Sequence, residues 1–199
     1  MINNIIRYYL TIKDLKLVQI FFLIRKKFVK KKTNEIFFYK YLISDNKFKF
    51  NYKRTQTFII NKKVHFLNKS FDILTEFKSK NDLISYNLNY FDYLNNFDKK
   101  NKFFFLRSII IWIKCSKNKH KLDPYPTSLR IVNWIYFIKH YNVNLKTNNL
   151  ILLTLYNHSN ILYKNIEYNL LGNHLFKNAK ALIFAGLFFN SKISDRWLK

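Results

Sequence analysis

Residues 123–138 read DPYPTSLRIVNWIYFI, and this stretch decides the fold class. Pro126 suits the first turn of a helix, where the missing N–H of proline loses no hydrogen bond. Apolar residues then follow at the i, i+3, i+4 and i+7 spacing that places them on one helix face. They are Ile131, Trp134, Ile135 and Ile138. The stretch therefore predicts an amphipathic helix whose apolar face enters a core.

The segments on either side repeat this helical pattern. From residue 88 onward, apolar runs occupy residues 103–113, 131–138, 152–166 and 175–189. Only two glycines and two prolines occur in 199 residues, which disfavours a sandwich or barrel because such folds need many tight turns. Serial amphipathic helices with short polar links predict helical hairpins, packed as a bundle, a solenoid or an α/α toroid. The periodicity does not choose among these three.

Two further patterns occur before residue 70. Thr11 and Asp14 have the spacing of a capping box and predict the start of a helix. Behind them an apolar stripe at helical spacing is formed by Leu17, Ile20, Phe21, Ile24 and Phe28. Residues 48–53 alternate between aromatic and polar side chains, which is typical of a half-buried strand. We therefore predict a short β excursion near residues 46–68.

The chain is strongly basic, with 36 Lys and Arg against 11 Asp and Glu and a formal net charge of +25. Clustered cations attract polyanions such as nucleic acids, anionic membrane surfaces and acidic polysaccharides. Lys, Asn, Ile, Phe and Tyr are also the residues of AT-rich codons, so the charge has an equally good explanation in genome composition. Charge alone therefore does not identify a partner.

Several classes of site are disfavoured by the same composition. Cys115 is the only cysteine, which excludes an intramolecular disulfide and metal sites built from several cysteines. The histidines at 65, 120, 140 and 158 lack metal-ligand spacing, so neither a metal nor another cofactor is expected. The first residues lack the order of a signal peptide, and the apolar runs are shorter than the roughly 18–20 residues of a membrane-spanning helix. A cytoplasmic protein without a transmembrane segment is expected, with the periplasm as the alternative.

Three stretches carry a family resemblance. Residues 86–94 (YNLNYFDYL), 123–135 (DPYPTSLRIVNWI) and 167–182 (EYNLLGNHLFKNAKAL) together resemble the N-terminal domain of the heparinase II/III family of bacterial polysaccharide lyases. Weaker matches at residues 11–19 and 66–68 extend the likeness over most of the chain. The resemblance implies an incomplete α/α toroid followed by an antiparallel β-sandwich. It also implies cleavage of uronate-containing chains by β-elimination, in which the C5 proton is removed and the C4 oxygen leaves.

The resemblance also implies roles for five residues. It aligns Asn173 with an amide that hydrogen-bonds the substrate carboxylate, and His174 beside it can act as base or donor. Tyr90 and Tyr125 are expected to stack on sugar rings, and Arg130 to pair with a carboxylate. Each of these residues also has a possible structural role. The Asn-His pair could cap a helix, the tyrosines could pack in the core, and Arg130 could belong to a structural ion pair. Asn133 and Trp134 are expected to lie in the core.

The sequence departs from the family pattern at several points. Asn89 and Asn169 stand where histidine is common in the family, and Leu122 stands where tryptophan is common. Residues 195–199 resemble the middle of the toroid. Residues 1–199 are therefore expected to form one N-terminal helical domain that is incomplete at its C-terminus, lacks the β-sandwich and leaves apolar helix faces uncovered.

The resemblance and the basic charge leave three possible functions. The first is a lyase fragment, inactive alone and completed by a second chain that carries the catalytic tyrosine. The second is a non-catalytic protein that binds acidic polysaccharide. The third, a protein that binds nucleic acid or an anionic surface by charge alone, is disfavoured because no recognised nucleic-acid motif accompanies the basic residues.

Overall fold

The computed structural model describes residues 6, 9–28, 42–43, 58–60, 62–73, 81–95, 99–115 and 121–199. These residues are mainly helical with a few short antiparallel strands, which confirms the predicted fold class of a mainly α protein with a short β excursion. Within the described ranges, no helix combines the length and apolar character needed to cross a lipid bilayer.

Besides a helical segment at residues 9–12, the described part of the chain contains seven α-helices. They are α1 (Leu17–Phe28), α2 (Asp82–Tyr90), α3 (Lys102–Lys114), α4 (Pro124–His140), α5 (Asn149–Lys164), α6 (Gly172–Phe188) and α7 (Ser194–Trp197). Two 3-10 helices, Asp92–Asn95 and Lys99–Asn101, lie between α2 and α3. The four apolar runs predicted as helices correspond to α3, α4, α5 and α6.

The first long helix begins later than the capping-box pattern predicts. Residues 9–12 are already helical and are followed by a turn, so Thr11 lies at the end of one helical segment and not at the start of the next. The backbone N–H of Lys16 donates to Gln19 Oε1 at 3.0 Å, which satisfies one of the open donors at the start of α1. The prediction of a helix start at Thr11 and Asp14 is therefore wrong.

Two small antiparallel sheets accompany the helices. Strands β2 (Phe58–Ile60), β3 (Lys63–Phe66) and β4 (Lys69–Phe71) form one sheet in that order, and β1 (Leu42–Ile43) pairs with β5 (Phe189–Asn190). The β3–β4 turn has φ of 50° at Leu67 and 56° at Asn68, as a two-residue hairpin with both central residues at positive φ requires. Within the predicted β excursion, the alternating residues 48–53 lie outside the described residues.

Helix α4 is the centre of the molecule. It contacts α2, the 3-10 helix Asp92–Asn95, α5 and α6. The predicted face of Ile131, Trp134, Ile135 and Ile138 is buried. Twelve of the seventeen helix residues are buried, so α4 is enclosed on most sides and is not amphipathic in the sense predicted.

Aromatic rings join α4 to its neighbours. Trp112 of α3 and Trp134 of α4 meet edge to face at 5.6 Å, and Phe91 at the end of α2 lies 5.5 and 5.4 Å from these two rings. His158 of α5 lies 5.5 Å from Trp112. All four side chains are buried. This cluster holds the C-terminal end of α2 against α4, which positions the candidate site described next.

Candidate functional site

The start of α6 presents two of the predicted site residues. Leu171 precedes the helix with φ of 54° and ψ of −156°, a conformation that stores roughly 1–3 kcal/mol of strain in a residue other than glycine. Gly172 follows with φ of 49°. Because α6 begins at Gly172, Asn173 and His174 lie inside its first turn and the Asn-His pair is not the helix cap. Asn173 is exposed.

His174 is held by a carboxylate from the preceding loop. Its Nδ1 lies 3.0 Å from Glu167 Oε2, and its side chain is 40% exposed whereas that of Glu167 is only 8% exposed. In a neutral imidazole that donates Nδ1–H to the carboxylate, Nε2 carries the free lone pair. The pair therefore presents a hydrogen-bond acceptor, or base, on a ring that solvent can reach.

Asn178 positions Glu167. The backbone N–H of Glu167 donates to Asn178 Oδ1 at 2.9 Å, and Asn178 Nδ2 lies 3.5 Å from Glu167 Oε2. Asn178 is four residues after His174, so both side chains lie on the same face of α6. Glu167 is thus tied to α6 at its backbone and at its carboxylate, which limits the orientations available to His174.

Tyr90 and Tyr125 are brought together beside His174. The ring of Tyr125 lies 4.4 Å from the His174 ring at 38°, and the ring of Tyr90 meets Tyr125 edge to face at 5.9 Å. Both tyrosines are half-buried. We call these three residues the aromatic strip. The strip joins the C-terminal end of α2, the first turn of α4 and the first turn of α6.

Asn133 fixes one end of the aromatic strip. Its Nδ2 donates to the Tyr90 carbonyl at 2.8 Å, while its Oδ1 accepts from Asn95 Nδ2 at 2.9 Å. Asn133 and Trp134 are both buried, as the sequence predicts. The core residue Asn133 therefore supports the site without facing it.

The phenols of Tyr86 and Tyr90 stay protonated at neutral pH. Tyr86 donates to Asp123 Oδ2 at 2.9 Å, and its pKa is raised by burial first and then by the hydrogen bond to that carboxylate. Burial raises the pKa of Tyr90 to about 12. The Tyr86 proton is already donated to Asp123, whereas Tyr90 keeps a proton that it can donate to a bound ligand; neither is a ready phenolate base.

Arg130 does not belong to this surface. Its side chain is fully buried; its guanidinium donates to the carbonyls of Lys121 at 2.6 Å and Asn89 at 3.3 Å, and lies 4.2 Å from the Trp112 ring centroid. Burial lowers its pKa to about 9. A polymer in solvent cannot reach this group, so the structure contradicts the predicted substrate-binding role of Arg130.

Asn89 and Asn169 lie in the interior, and Leu122 lies partly in it. Asn89 is fully buried, where it accepts from Trp112 Nε1 at 2.8 Å and donates to the Ser85 carbonyl at 2.7 Å. Asn169 is buried and its carbonyl accepts from Gln19 Nε2 at 3.1 Å. Leu122 is half-buried. The side chain of Asn89 therefore has a clear structural role, whereas Asn169 contributes its backbone carbonyl.

The sequence patterns did not single out Glu167, Asn178, Tyr86 or Asp123 as site residues. The i, i+4 spacing of His174 and Asn178 does predict that the two side chains share one helix face. The pairing of Glu167 with His174 depends on the positive-φ turn at residues 171–172, which spacing does not reveal. Among the described residues, no group of three or more His, Cys, Asp or Glu could hold a metal ion; His120 lies outside those residues.

Comparisons of the chain with protein-family models, with curated proteins and with solved structures find no match.

Proposed function

We propose that this chain carries the acidic-sugar site of a heparinase II/III-like polysaccharide lyase. The observation that carries the proposal is the solvent-accessible His174–Glu167 pair in the first turn of α6, next to the exposed Asn173. The resemblance of residues 86–94, 123–135 and 167–182 to the family supplies the reaction class. A uronate unit would lie over the aromatic strip with its carboxylate at Asn173.

The described residues suit the first half of a β-elimination. The amide of Asn173 and the positive end of the α6 dipole would stabilise the negative charge that spreads into the carboxylate as C5 loses its proton. Nε2 of His174 would accept that proton. Glu167 would then stabilise the imidazolium at 3.0 Å, as a carboxylate does for a catalytic histidine elsewhere.

The second half of the reaction needs an acid at the leaving C4 oxygen. Tyr86 already donates its proton to Asp123, and Tyr90 is half-buried with a raised pKa. The resemblance assigns this step to a tyrosine beyond the matched stretches. We therefore propose that the described residues bind acidic polysaccharide, and that the acid at the leaving C4 oxygen is a tyrosine outside the matched stretches.

Binding is tested by fluorescence anisotropy with labelled alginate and heparan sulfate oligosaccharides, with labelled dextran as the neutral control. We expect salt-sensitive binding of the acidic chains that His174→Ala and Asn173→Ala each weaken about tenfold, since each removes one polar contact to a charged ligand. His140→Ala removes an exposed histidine from the far end of α4 and serves as the matched control. Equal binding by His174→Ala and His140→Ala contradicts the proposed site.

Activity is tested by the absorbance of the unsaturated uronate product, with the chain alone and with the product of the adjacent reading frame. A rise only in the mixture supports the proposal. A rise with the chain alone shows that its own residues supply the acid. Binding without a rise in either sample favours the alternative, a non-catalytic protein that binds acidic polysaccharide.

A further inference from the structure

A recess of about 440 Å³ lies between α1 and the link that joins α5 to α6. It is lined by residues 163–169, by Phe22 and Arg25 of α1, and by Pro124 at the start of α4. The volume falls within the range of small-ligand sites, roughly 300–1,000 Å³. It is therefore large enough for one or two sugar units.

The wall formed by α1 is attached to the α5–α6 link by two contacts. The rings of Phe22 and Tyr168 stack at 4.7 Å with an interplanar angle of 28°. Gln19 Nε2 donates to the Asn169 carbonyl at 3.1 Å. The recess is thus a formed feature that two long-range contacts hold open. Tyr163 and Tyr168 remain 41% and 38% exposed, so aromatic surface is available to a ligand.

The charges around the recess favour an anion. Arg25 and Lys164 are exposed residues of its lining, and the Arg25 guanidinium lies 5.9 Å from the Phe22 ring centroid. Glu167 also lines the recess, but its carboxylate is nearly buried and is engaged by His174 and Asn178. The solvent-facing charge is therefore cationic. Aromatic surface combined with cations suits a sugar ring that carries a carboxylate or sulfate.

The recess adjoins the aromatic strip through two residues. Glu167 lines the recess and also holds His174. Pro124 lines it and directly precedes Tyr125. A polymer bound at Asn173 and His174 would therefore place a unit further along its chain at the recess.

We propose that the recess is a second subsite that binds an acidic sugar unit of the same polysaccharide, with Arg25 and Lys164 selecting for its charge. This inference rests on the proposed function. It predicts that affinity depends on the length of the oligosaccharide, because a longer chain occupies both subsites and a shorter one does not.

The test uses the double variant Arg25→Gln/Lys164→Gln and alginate oligosaccharides of two and four units. The control Arg107→Gln/Lys192→Gln removes the same two charges from exposed positions outside the recess lining. We expect the recess variant to weaken tetrasaccharide binding about tenfold, as the loss of two charge-assisted contacts implies. Disaccharide binding should be unchanged, and the control should alter both affinities by less than about twofold.

The possible results separate the two proposals. If His174→Ala weakens binding about tenfold while the recess variant behaves like the control, the second subsite is wrong and the proposed function stands. If the wild-type chain binds neither oligosaccharide, the proposed function and the subsite both fail. If duplex DNA displaces the tetrasaccharide from wild type and control alike but not from the recess variant, the recess binds polyanions in general and the inference of a sugar subsite is overturned. Circular dichroism melting checks that each variant is folded.

Discussion

Individual polar residues divide into those that build the core and those that form the site. Arg130 and His158 are both buried and both lie against Trp112. Their chemistry resembles that of binding residues, but solvent does not reach them. His174 has similar chemistry and is 40% exposed. Residue type alone therefore does not assign function here; exposure decides which of the three can meet a ligand.

His158 should make the stability of the fold sensitive to mild acid. Burial lowers its pKa well below the ordinary value, and the nearby cations of Arg130 and Lys121 lower it further. Below the unfolded-state pKa of about 6.5, His158 binds a proton in the unfolded chain but stays neutral in the folded chain. The free energy of unfolding should therefore fall as the pH drops below this value, by up to about 1.4 kcal/mol per pH unit.

Urea unfolding between pH 7.5 and 5 measures this slope. His158→Phe keeps an aromatic ring between Trp112 and Trp134 and should flatten the profile over this range. The exposed His140 provides the control, since His140→Gln should leave the slope unchanged. A slope in His158→Phe equal to that of wild type would assign the acid sensitivity to other groups.

Helix α6 is the element that creates the site. The turn at Leu171 and Gly172, both at positive φ, directs the chain into α6 so that His174 meets Glu167 seven residues earlier. A Cβ added at Gly172 would meet no atom within 4 Å. Glycine is needed at this position for its backbone conformation and not for space.

Gly172→Ala should therefore destabilise the fold by about 1 kcal/mol, because a residue with a Cβ is less stable in a left-handed backbone conformation than glycine is. It should also weaken oligosaccharide binding, since the first turn of α6 carries Asn173 and His174. Thermal melting and the anisotropy assay measure the two effects. Gly172→Asn should restore much of the stability, because asparagine tolerates positive φ better than alanine does. If alanine and asparagine behave alike, backbone conformation is not the reason for the glycine.

In the molecule as a whole, the core around α4 is buried, whereas α1 leaves apolar side chains exposed to solvent. The aromatic cluster around α4 is closed, whereas α1 exposes Leu17, Phe21 and Ile24 at 85%, 60% and 54%. These residues belong to the apolar stripe that the sequence predicts. Contiguous exposed apolar surface of this kind promotes self-association, although the formal net charge of +25 opposes it by repulsion.

Self-association through α1 should therefore increase with salt, which screens the repulsion but not the apolar attraction. Sedimentation velocity at low and high ionic strength measures it. Leu17→Gln/Phe21→Gln should reduce the salt-induced association without lowering the melting temperature, because both side chains lie mainly in solvent. The control Phe103→Gln alters an 82% exposed residue on α3. An equal reduction in the control would mean that α1 has no special part in association.

The sequence alone is sufficient to predict the main helices, because apolar residues recur at helical spacing along a continuous stretch of chain. This spacing is present in residues 103–113, 131–138, 152–166 and 175–189. The motif resemblance predicted a shared site for Tyr90, Tyr125, Asn173 and His174; the rings of Tyr90, Tyr125 and His174 do lie together, and their function stays a prediction. The Glu167–His174 pair, the burial of Arg130 and the recess all depend on tertiary contacts. Glu167 joins His174 only because the backbone reverses at residues 171–172, and Arg130 is buried only because four helices enclose α4. The recess beside α1 likewise depends on contacts between residues about 150 positions apart, and such distant contacts leave no periodic signal in a single sequence.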